Sequence, residues 1–312
     1  MKNCKLFSCS VLQNSSLCWF VSGLVDAEGS FGVNVVRKES SKIGYSVLIY
    51  FEIALNKKDK QLLETTKQVL GIEKNLYNNK SDDTLKLKVS NLDELINNVI
   101  PHFNKYPLFT QKKVDYLLMS KVLKIVQEKR HLTIEGLNEI LSIKAAMNLG
   151  LSNKLKNEFP NINQLTRVIV ETGIPNKYWL AGFMEGESCF YVSVYNSPKS
   201  KLNYAVQLVF KITQHTRDLA LLKNISKLLE CGRVEPRKNL DAYDFTITSF
   251  KEFKDYMIPY WENYPLLGHK SNDYIDFKRV YEIMLTKGHL TEEGLAKIVE
   301  IKNSMNTKRI QI

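Results

Sequence analysis

The stretch Gly23-Leu24-Val25-Asp26-Ala27-Glu28-Gly29 returns later in the chain as Gly182-Phe183-Met184-Glu185-Gly186-Glu187-Ser188. In each copy an apolar helical run ends on a glutamate and leads straight into residues that alternate with period two. Glu28 and Glu187 stand 159 positions apart, and further matches recur at a shift of 158. Ile100-Pro101 returns as Ile258-Pro259, Tyr106-Pro107-Leu108 as Tyr264-Pro265-Leu266, and His131-Leu132-Thr133 as His289-Leu290-Thr291. Gly136-Leu137, Ile143-Lys144 and Met147-Asn148 recur as Gly294-Leu295, Ile301-Lys302 and Met305-Asn306. Solenoid units run roughly 20–50 residues, so a period this long marks a duplicated domain. The chain reads as a fused pseudo-dimer.

Its 312 residues suit two domains, each of about 100–200 residues and able to bury a real core. With 44% hydrophobic and 25% charged residues the composition is that of a globular protein. The formal charge is +11, from 44 Lys+Arg against 33 Asp+Glu, which favours a polyanionic partner although a basic solvated surface has the same signature. Cys4, Cys9, Cys18, Cys189 and Cys231 fit neither a zinc-site spacing nor a disulfide framework, and read as free thiols in a reducing compartment. No apolar run approaches the roughly 18 residues that span a bilayer. Residues 1–15 carry neither a signal core nor an Arg-rich transit pattern and are expected to form a loose N-terminal extension.

Residues 16–149 and 175–306 are the two expected domains, with a polar connector over 150–174 and a short tail over 307–312. The first motif helix is expected to be capped by Ser15-Ser16 and to end on Glu28, with Gly29 in the left-handed position past its end. Pro175-Asn176 opens the second helix, where Ser188 replaces the glycine at some expected strain. Beyond each motif the period switches to two. Phe31, Val33 and Val35 alternate with Gly32, Asn34 and Val36, and Val47, Ile49, Phe51 and Ile53 with Ser46, Leu48, Tyr50 and Glu52. Phe190, Val192 and Val194, then Tyr204, Val206, Leu208, Phe210 and Ile212, repeat the inward rows. Later strands hold Leu85, Leu87 and Val89, and Tyr243, Phe245 and Ile247, facing in. With helices expected near 60–70, 111–127 and 133–148 and at their counterparts, the fold class is α+β with an antiparallel sheet in each half.

Small residues four apart, Gly23 with Ala27 and Gly182 with Gly186, share one helix face. They permit close helix approach, either within a domain or between the two motif helices. The second arrangement would bring Glu28 and Glu187 together. A negative charge at a helix carboxyl end opposes the macrodipole, so its presence in both copies needs another cause. Hard divalent cations, which take oxygen ligands and leave room for phosphate and water, supply one.

On these residues the chain resembles the LAGLIDADG homing endonucleases, and closely the single-chain, two-repeat group of fungal mitochondrial introns. The resemblance runs from about Trp19 to Met305. It implies two pseudo-symmetric domains of αββαββα type, each with a curved antiparallel sheet forming part of a DNA-binding saddle. A ribbon of sheet enters a major groove of roughly 12 Å, where base edges are distinguishable. The eighth motif position is the family's metal-binding catalytic acid, which falls on Glu28 and Glu187. Ala27 and Gly186 are implied as accompanying metal ligands through their backbone. The implied cofactor is Mg2+, with Mn2+ or Ca2+ able to occupy the same site.

Lys112 and Lys270, equivalent residues at the start of a helix, resemble the family's active-site lysine and are otherwise surface lysines. Gln214 resembles a residue that orients solvent, whereas the first copy has Leu55 there, which implies two unequal sites. His215 is a candidate phosphate contact. Candidate DNA-contacting positions in the first half are Asn34, Lys38, Ser40, Ser46, Tyr50, Glu52, Lys86 and Lys88. In the second half they are Tyr191, Ser193, Tyr195, Asn203, Gln207, Lys211, Thr213, Arg233, Arg237 and Asp244. As a set, their amides, hydroxyls and cations suit direct readout, and each singly is also an ordinary solvated strand residue or phosphate contact.

The implied activity is a double-strand break with short 3′ overhangs in an asymmetric target of about 20 base pairs, made by metal-dependent phosphodiester hydrolysis. The chain would act as a monomer on double-stranded DNA in mitochondria, with no membrane partner. The alternative is an intron maturase, which binds intron RNA with or without cleaving DNA. A DNA-binding regulator that has lost the chemistry is a third class.

Overall fold

The computed structural model describes residues 14–78 and 82–306. The tail over 307–312, and all of the N-terminal extension except Asn14 and Ser15, lie outside the described residues. The fold divides into two compact units, with the break between Thr172 and Gly173.

The first unit opens with α1 (Asn14–Glu28), β1 (Gly29–Arg37) and β2 (Tyr45–Asn56), followed by α2 (Lys60–Val69), β3 (Tyr77–Asn78) and β4 (Thr84–Val89). The antiparallel sheet has the order β1-β2-β4-β3. A helical run follows: α3 (Leu92–Glu94), a π-turn over Leu95–Val99, and α4 (Ile100–Lys105). Pro101 explains its shape, because proline has no N–H to give and its ring crowds the preceding turn, which a wider π-turn relieves. Then come α5 (Lys112–Gln127) and α6 (Ile134–Ala145).

The second unit repeats this order with α8 (Lys177–Glu187), β5 (Ser188–Asn196), β6 (Tyr204–His215), α9 (Leu219–Leu229), β7 (Arg233–Pro236) and β8 (Ala242–Ile247). Its sheet runs β5-β6-β8-β7. A second π-turn, Phe253–Met257, lies between α10 (Phe250–Glu252) and α11 (Ile258–Asn263), again just ahead of Ile-Pro. The unit closes with α12 (Lys270–Leu285) and α13 (Glu292–Asn303).

The inner face of each sheet is aromatic. Phe31 packs against Phe51 at 5.3 Å between ring centroids and against Phe103 and Tyr116 at 5.4 Å. In the second unit Phe190 meets Phe210, Trp261 and Phe277 at 5.0, 4.9 and 5.5 Å. Burying such a ring stabilises the fold by about 1.5–3 kcal/mol. Phe31, Phe51, Phe210 and Phe277 are wholly buried.

Four expectations need correction. The helix is already running at Asn14, so Ser15 and Ser16 lie inside α1 and do not cap it from outside. Gly29 is the first residue of β1 and is absent from the residues of positive φ; the glycine serves close approach, since a Cβ there would sit 2.6 Å from Val25 Cγ1 and 2.7 Å from Val25 O. Ser188 has an extended backbone, φ −95° and ψ 158°, and its hydroxyl donates to Met184 O at 2.6 Å, so the helix end is satisfied without strain. Tyr204 is 51% exposed, because the inward row of β6 runs out beyond the helices that cover the sheet. Asn176 caps α8 as expected, its Oδ1 accepting from Tyr178 N at 2.8 Å.

The connector holds α7 (Asn153–Glu158), capped by Ser152. Beyond it Arg167 ties the chain to the first unit. The guanidinium donates to both oxygens of the buried Asp115 at 2.9 and 3.1 Å, to Ala146 O at 2.9 Å and to Gln111 O at 3.2 Å. Such a planar fork satisfies a buried carboxylate as an ammonium would not.

Candidate active site and nucleic-acid face

α1 and α8 deliver Glu28 and Glu187 to a junction where helix becomes strand with no intervening loop. Glu28 is exposed and Glu187 half-buried. Both sit where the last helical carbonyls concentrate negative potential. In the first unit the Lys112 amino group answers that potential, donating to Val25 O at 3.1 Å and Ala27 O at 3.0 Å. In the second, Lys270 Nζ donates to Ser188 O. The two lysines therefore reach opposite sides of their glutamates: Lys112 takes carbonyls before Glu28, and Lys270 the carbonyl after Glu187.

The acid two positions earlier behaves differently in each motif. Asp26 is buried, and its carboxylate accepts from Phe109 N at 2.6 Å, Thr110 Oγ1 at 2.6 Å and Thr110 N at 3.4 Å. Burial pushes Asp26 up to about 6, against the Thr110 and Phe109 hydrogen bonds and the Lys112 charge. Glu185 Oε1 accepts from Leu267 N at 2.6 Å and Gly268 N at 2.7 Å. Sequence reading passed over both residues and Thr110, although the acids lie inside the motif itself. Their signal was an acid on a helix face otherwise apolar, which requires buried donors.

Each helix end offers a carboxylate and backbone carbonyls, oxygen ligands of the kind a hard cation takes. Among the described residues no three His, Cys, Asp or Glu side chains form a ligand group. Ala27 O already accepts from Lys112 and retains one lone pair.

Gln214 lies half-buried on β6, its amide donating to Thr213 O at 2.8 Å, and Leu55 at the matching point of β2 is buried. His215 has a local task, with Nδ1 accepting from Arg217 N at 3.1 Å and Nε2 lying 3.3 Å from Asp241.

On the outward face of the first sheet Asn34 is exposed and Ser46, Tyr50, Glu52, Lys86 and Lys88 are half-buried, while Lys38 and Ser40 are exposed in the β1–β2 turn and not on the sheet. Lys86 and Lys88 reach Glu52 at 3.1 and 3.4 Å, and Lys88 stands 4.3 Å over the Tyr50 ring. Burial alone would raise the Glu52 carboxyl, but the bonds and charges of Lys86 and Lys88 outweigh it and hold it below its ordinary value. Gly32 gives Tyr50 room to lie across the sheet, since a Cβ would come 2.3 Å from its ring.

On the second sheet Tyr191, Tyr195, Arg233 and Arg237 are exposed, and Ser193, Gln207, Lys211 and Thr213 are half-buried. Asn203 is exposed but belongs to the β5–β6 turn, in the left-handed conformation at φ 58° that Gly44 takes at 73° in the first unit. Asp244 is the exception to the expected exposure. It is 9% exposed, bonded by Lys211 Nζ at 2.9 Å and Thr213 Oγ1 at 2.6 Å, with Arg237 at 3.8 Å. Two donors and a nearby guanidinium crowd onto its carboxylate and screen it from solvent. The alternation also passed over exposed Cys189, which faces outward opposite Lys211.

No helix among the described residues is long and apolar enough to cross a membrane. The pattern of the LAGLIDADG endonuclease family matches residues 21–123 and again 180–281. "Probable intron-encoded endonuclease 2" of Neurospora crassa is 37% identical over 300 residues, covering 92% of this chain but 64% of that relative's length. The I-LtrWI LAGLIDADG homing endonuclease, solved bound to target DNA, is 58% identical with a TM-score of 0.94, covering 96% of this chain and 100% of that one. I-SmaMI, solved on uncleaved DNA target in the presence of calcium ions, is 37% identical with a TM-score of 0.89, covering 93% of this chain and 98% of that one.

Proposed function

We propose, from the premise that this chain belongs to the LAGLIDADG endonuclease family, that it is a site-specific endonuclease making a double-strand break in DNA. The observation that carries the reading is the doubled helix end, where a glutamate and a lysine amino group occupy the same junction in both units. The resemblance of the whole chain to I-LtrWI, solved on its target DNA, supports it.

Each outward sheet face would lie against DNA, with the exposed amides, tyrosines and arginines meeting base edges and phosphates. Glu28 and Glu187 would each serve as a carboxylate ligand for a divalent cation, Mg2+ in the cell, with the Ala27 carbonyl beside the first and the Gly186 carbonyl beside the second. When bound, the cation supplies charge neutralisation at the phosphate and a more acidic water. Lys112 and Lys270 keep positive charge at the same helix ends and draw the phosphate toward them. Gln214 presents an amide where Leu55 presents only methyl groups, so the two cuts proceed at different rates. The target would be an asymmetric site of about 20 base pairs, cut to leave short 3′ overhangs. The relatives' fungal intron origin supports a mitochondrial setting.

Selection of cleaved sites from a randomised duplex library with Mg2+ tests this, with Glu28→Gln and Glu187→Gln alongside. The expected result is one long asymmetric site, cut by the parent chain and by neither variant. Cutting of no duplex together with tight binding of intron RNA would overturn it in favour of a maturase.

A further inference from the structure

In each unit the chain leading into the lysine-bearing helix, α5 or α12, is hydrogen-bonded to an acid of the motif helix. In the first unit that chain is Phe109-Thr110-Gln111, and its anchor is Asp26. Thr110 connects the two groups directly: its hydroxyl donates to Asp26 Oδ1 at 2.6 Å and accepts from Lys112 N at 3.1 Å. An unbroken path of hydrogen bonds thus leaves α1 at Asp26, passes through Thr110 to the Lys112 backbone, and returns through Lys112 Nζ to Val25 O and Ala27 O. The second unit anchors the corresponding chain to its motif helix with other parts. Glu185 reaches one methylene further and takes Leu267 N and Gly268 N, in place of an Asp–Thr pair.

We propose that Asp26 and Glu185 are positioning residues, each fixing where the following lysine stands at the end of its motif helix. This rests on the endonuclease reading for its consequence in catalysis, though the geometry it asserts does not. A carboxylate taken out of water, fully at Asp26 and partly at Glu185, to accept two or three hydrogen bonds from one turn is costly to build, and an apolar residue would pack the motif helix more cheaply. Its presence in both copies, at the point where the lysine-bearing helix begins, follows from a need to hold that helix in register with the glutamate. Displacement of a reacting group by about 1 Å costs on the order of a hundredfold in rate. The different anchors also account for the two lysines taking carbonyls on opposite sides of their glutamates.

The test uses the full chain with Asp26→Asn, Thr110→Val and Lys112→Met, singly and with Asp26→Asn and Lys112→Met combined. Cleavage of each strand of the selected target is followed separately under single-turnover conditions, and DNA affinity is measured in Ca2+. Asp26→Asn is expected to slow one strand's cut by about a hundredfold, leaving the other cut and the affinity unchanged and adding nothing in the Lys112→Met background. Thr110→Val should act on the same strand, more weakly. Equal slowing of both strands, or a loss that multiplies that of Lys112→Met, would overturn the proposal.

A second readout needs no cleavage: NMR of the chain with 13C-dimethylated lysines, the Lys112 signal assigned by its absence in Lys112→Met. Asp26→Asn and Thr110→Val should move that signal and leave that of Lys270 in place. An unmoved Lys112 signal would refute positioning even if the parent chain cut DNA as expected. Conversely, a parent chain that cuts no duplex defeats the endonuclease reading while this signal still decides the geometry.

Discussion

The two units share a backbone plan and differ in what their polar groups do. Glu52 on β2 and Lys86 on β4 form an ion pair at 3.1 Å, and at the same two sheet positions the second unit has Lys211 and Asp244, paired at 2.9 Å. The polarity is reversed and the geometry kept. Ser22 and His102 in the first core are replaced by Ala181 and Tyr260 in the second, while Tyr116 is kept as Tyr274. A duplicated domain therefore preserves its apolar pattern and register while its charges and hydrogen bonds are exchanged in compensating sets. Strand register is dictated by which side chains face the core, and outward or enclosed polar pairs need only satisfy each other.

The His102 site separates the units most strongly. Ser22 Oγ donates to Tyr106 O at 2.7 Å, so at the 3.1 Å contact between Ser22 and His102 the ring Nε2 carries the hydrogen. Burial holds His102 down to about 4. The unfolded chain takes up this proton near 6.5, so the contribution is whole above that pH and disappears as pH falls toward 4. Asp26 runs the other way: raised to about 6, its contribution is present below its ordinary 3.8 and lost as pH rises through 6. Comparison with His102→Gln, which keeps a donor toward Ser22 and cannot titrate, isolates the histidine. Between pH 7 and pH 4 the parent should lose about 3 kcal/mol relative to the variant, read from urea denaturation at each pH. A constant difference across that range would place His102 in contact with solvent.

A smaller effect distinguishes the tyrosines. Tyr116 OH donates to Asn104 Oδ1 at 2.8 Å and lies 3.1 Å from Ile100 O. Tyr274 OH and the neighbouring Trp261 Nε1 are buried with no partner among the described residues, and their rings are 5.1 Å apart. Glu262 stands where the first unit has Asn104. Tyr116→Phe is therefore expected to cost about 1–2 kcal/mol, and Tyr274→Phe to be neutral or slightly stabilising. Equal losses in thermal unfolding would show that both hydroxyls are bonded, in the second unit through water.

Most of the fold was legible because its determinants are periodic. The alternation of Phe31, Val33 and Val35 fixed one sheet face, and the shift of 158–159 carried the reading to the second unit. Glu28 and Glu187 stood out because a repeated acid at a helix end has no cheap structural reason. Asp26 and Glu185 did not, since their partners lie more than 80 residues away and, the Thr110 hydroxyl apart, are backbone N–H groups that no side-chain pattern announces. Asp244 was misplaced for a related reason. Alternation predicts which face a side chain takes, while its exposure depends on whether neighbours on adjacent strands close over it, as Lys211 and Thr213 do here.

The reversed ion pair yields the smallest effect and the sharpest test of exchange in compensating sets. Glu52 is approached by both Lys86 and Lys88, so Glu52→Lys brings three cations together on one sheet face. Side chains this close to water gain only modestly from pairing, and cross-strand charge pairs contribute about 0.2–1 kcal/mol. Glu52→Lys should cost about that much. Adding Lys86→Asp, which reproduces the arrangement of the second unit, should recover most of it, with Lys88 then approaching the new carboxylate from the same strand. A double-mutant cycle in urea supplies the coupling energy, and its decline in high salt would identify it as electrostatic. If the two changes simply add, the reversed polarity in the two units reflects independent drift at each position, and the exchange of charges was never constrained by the pairing.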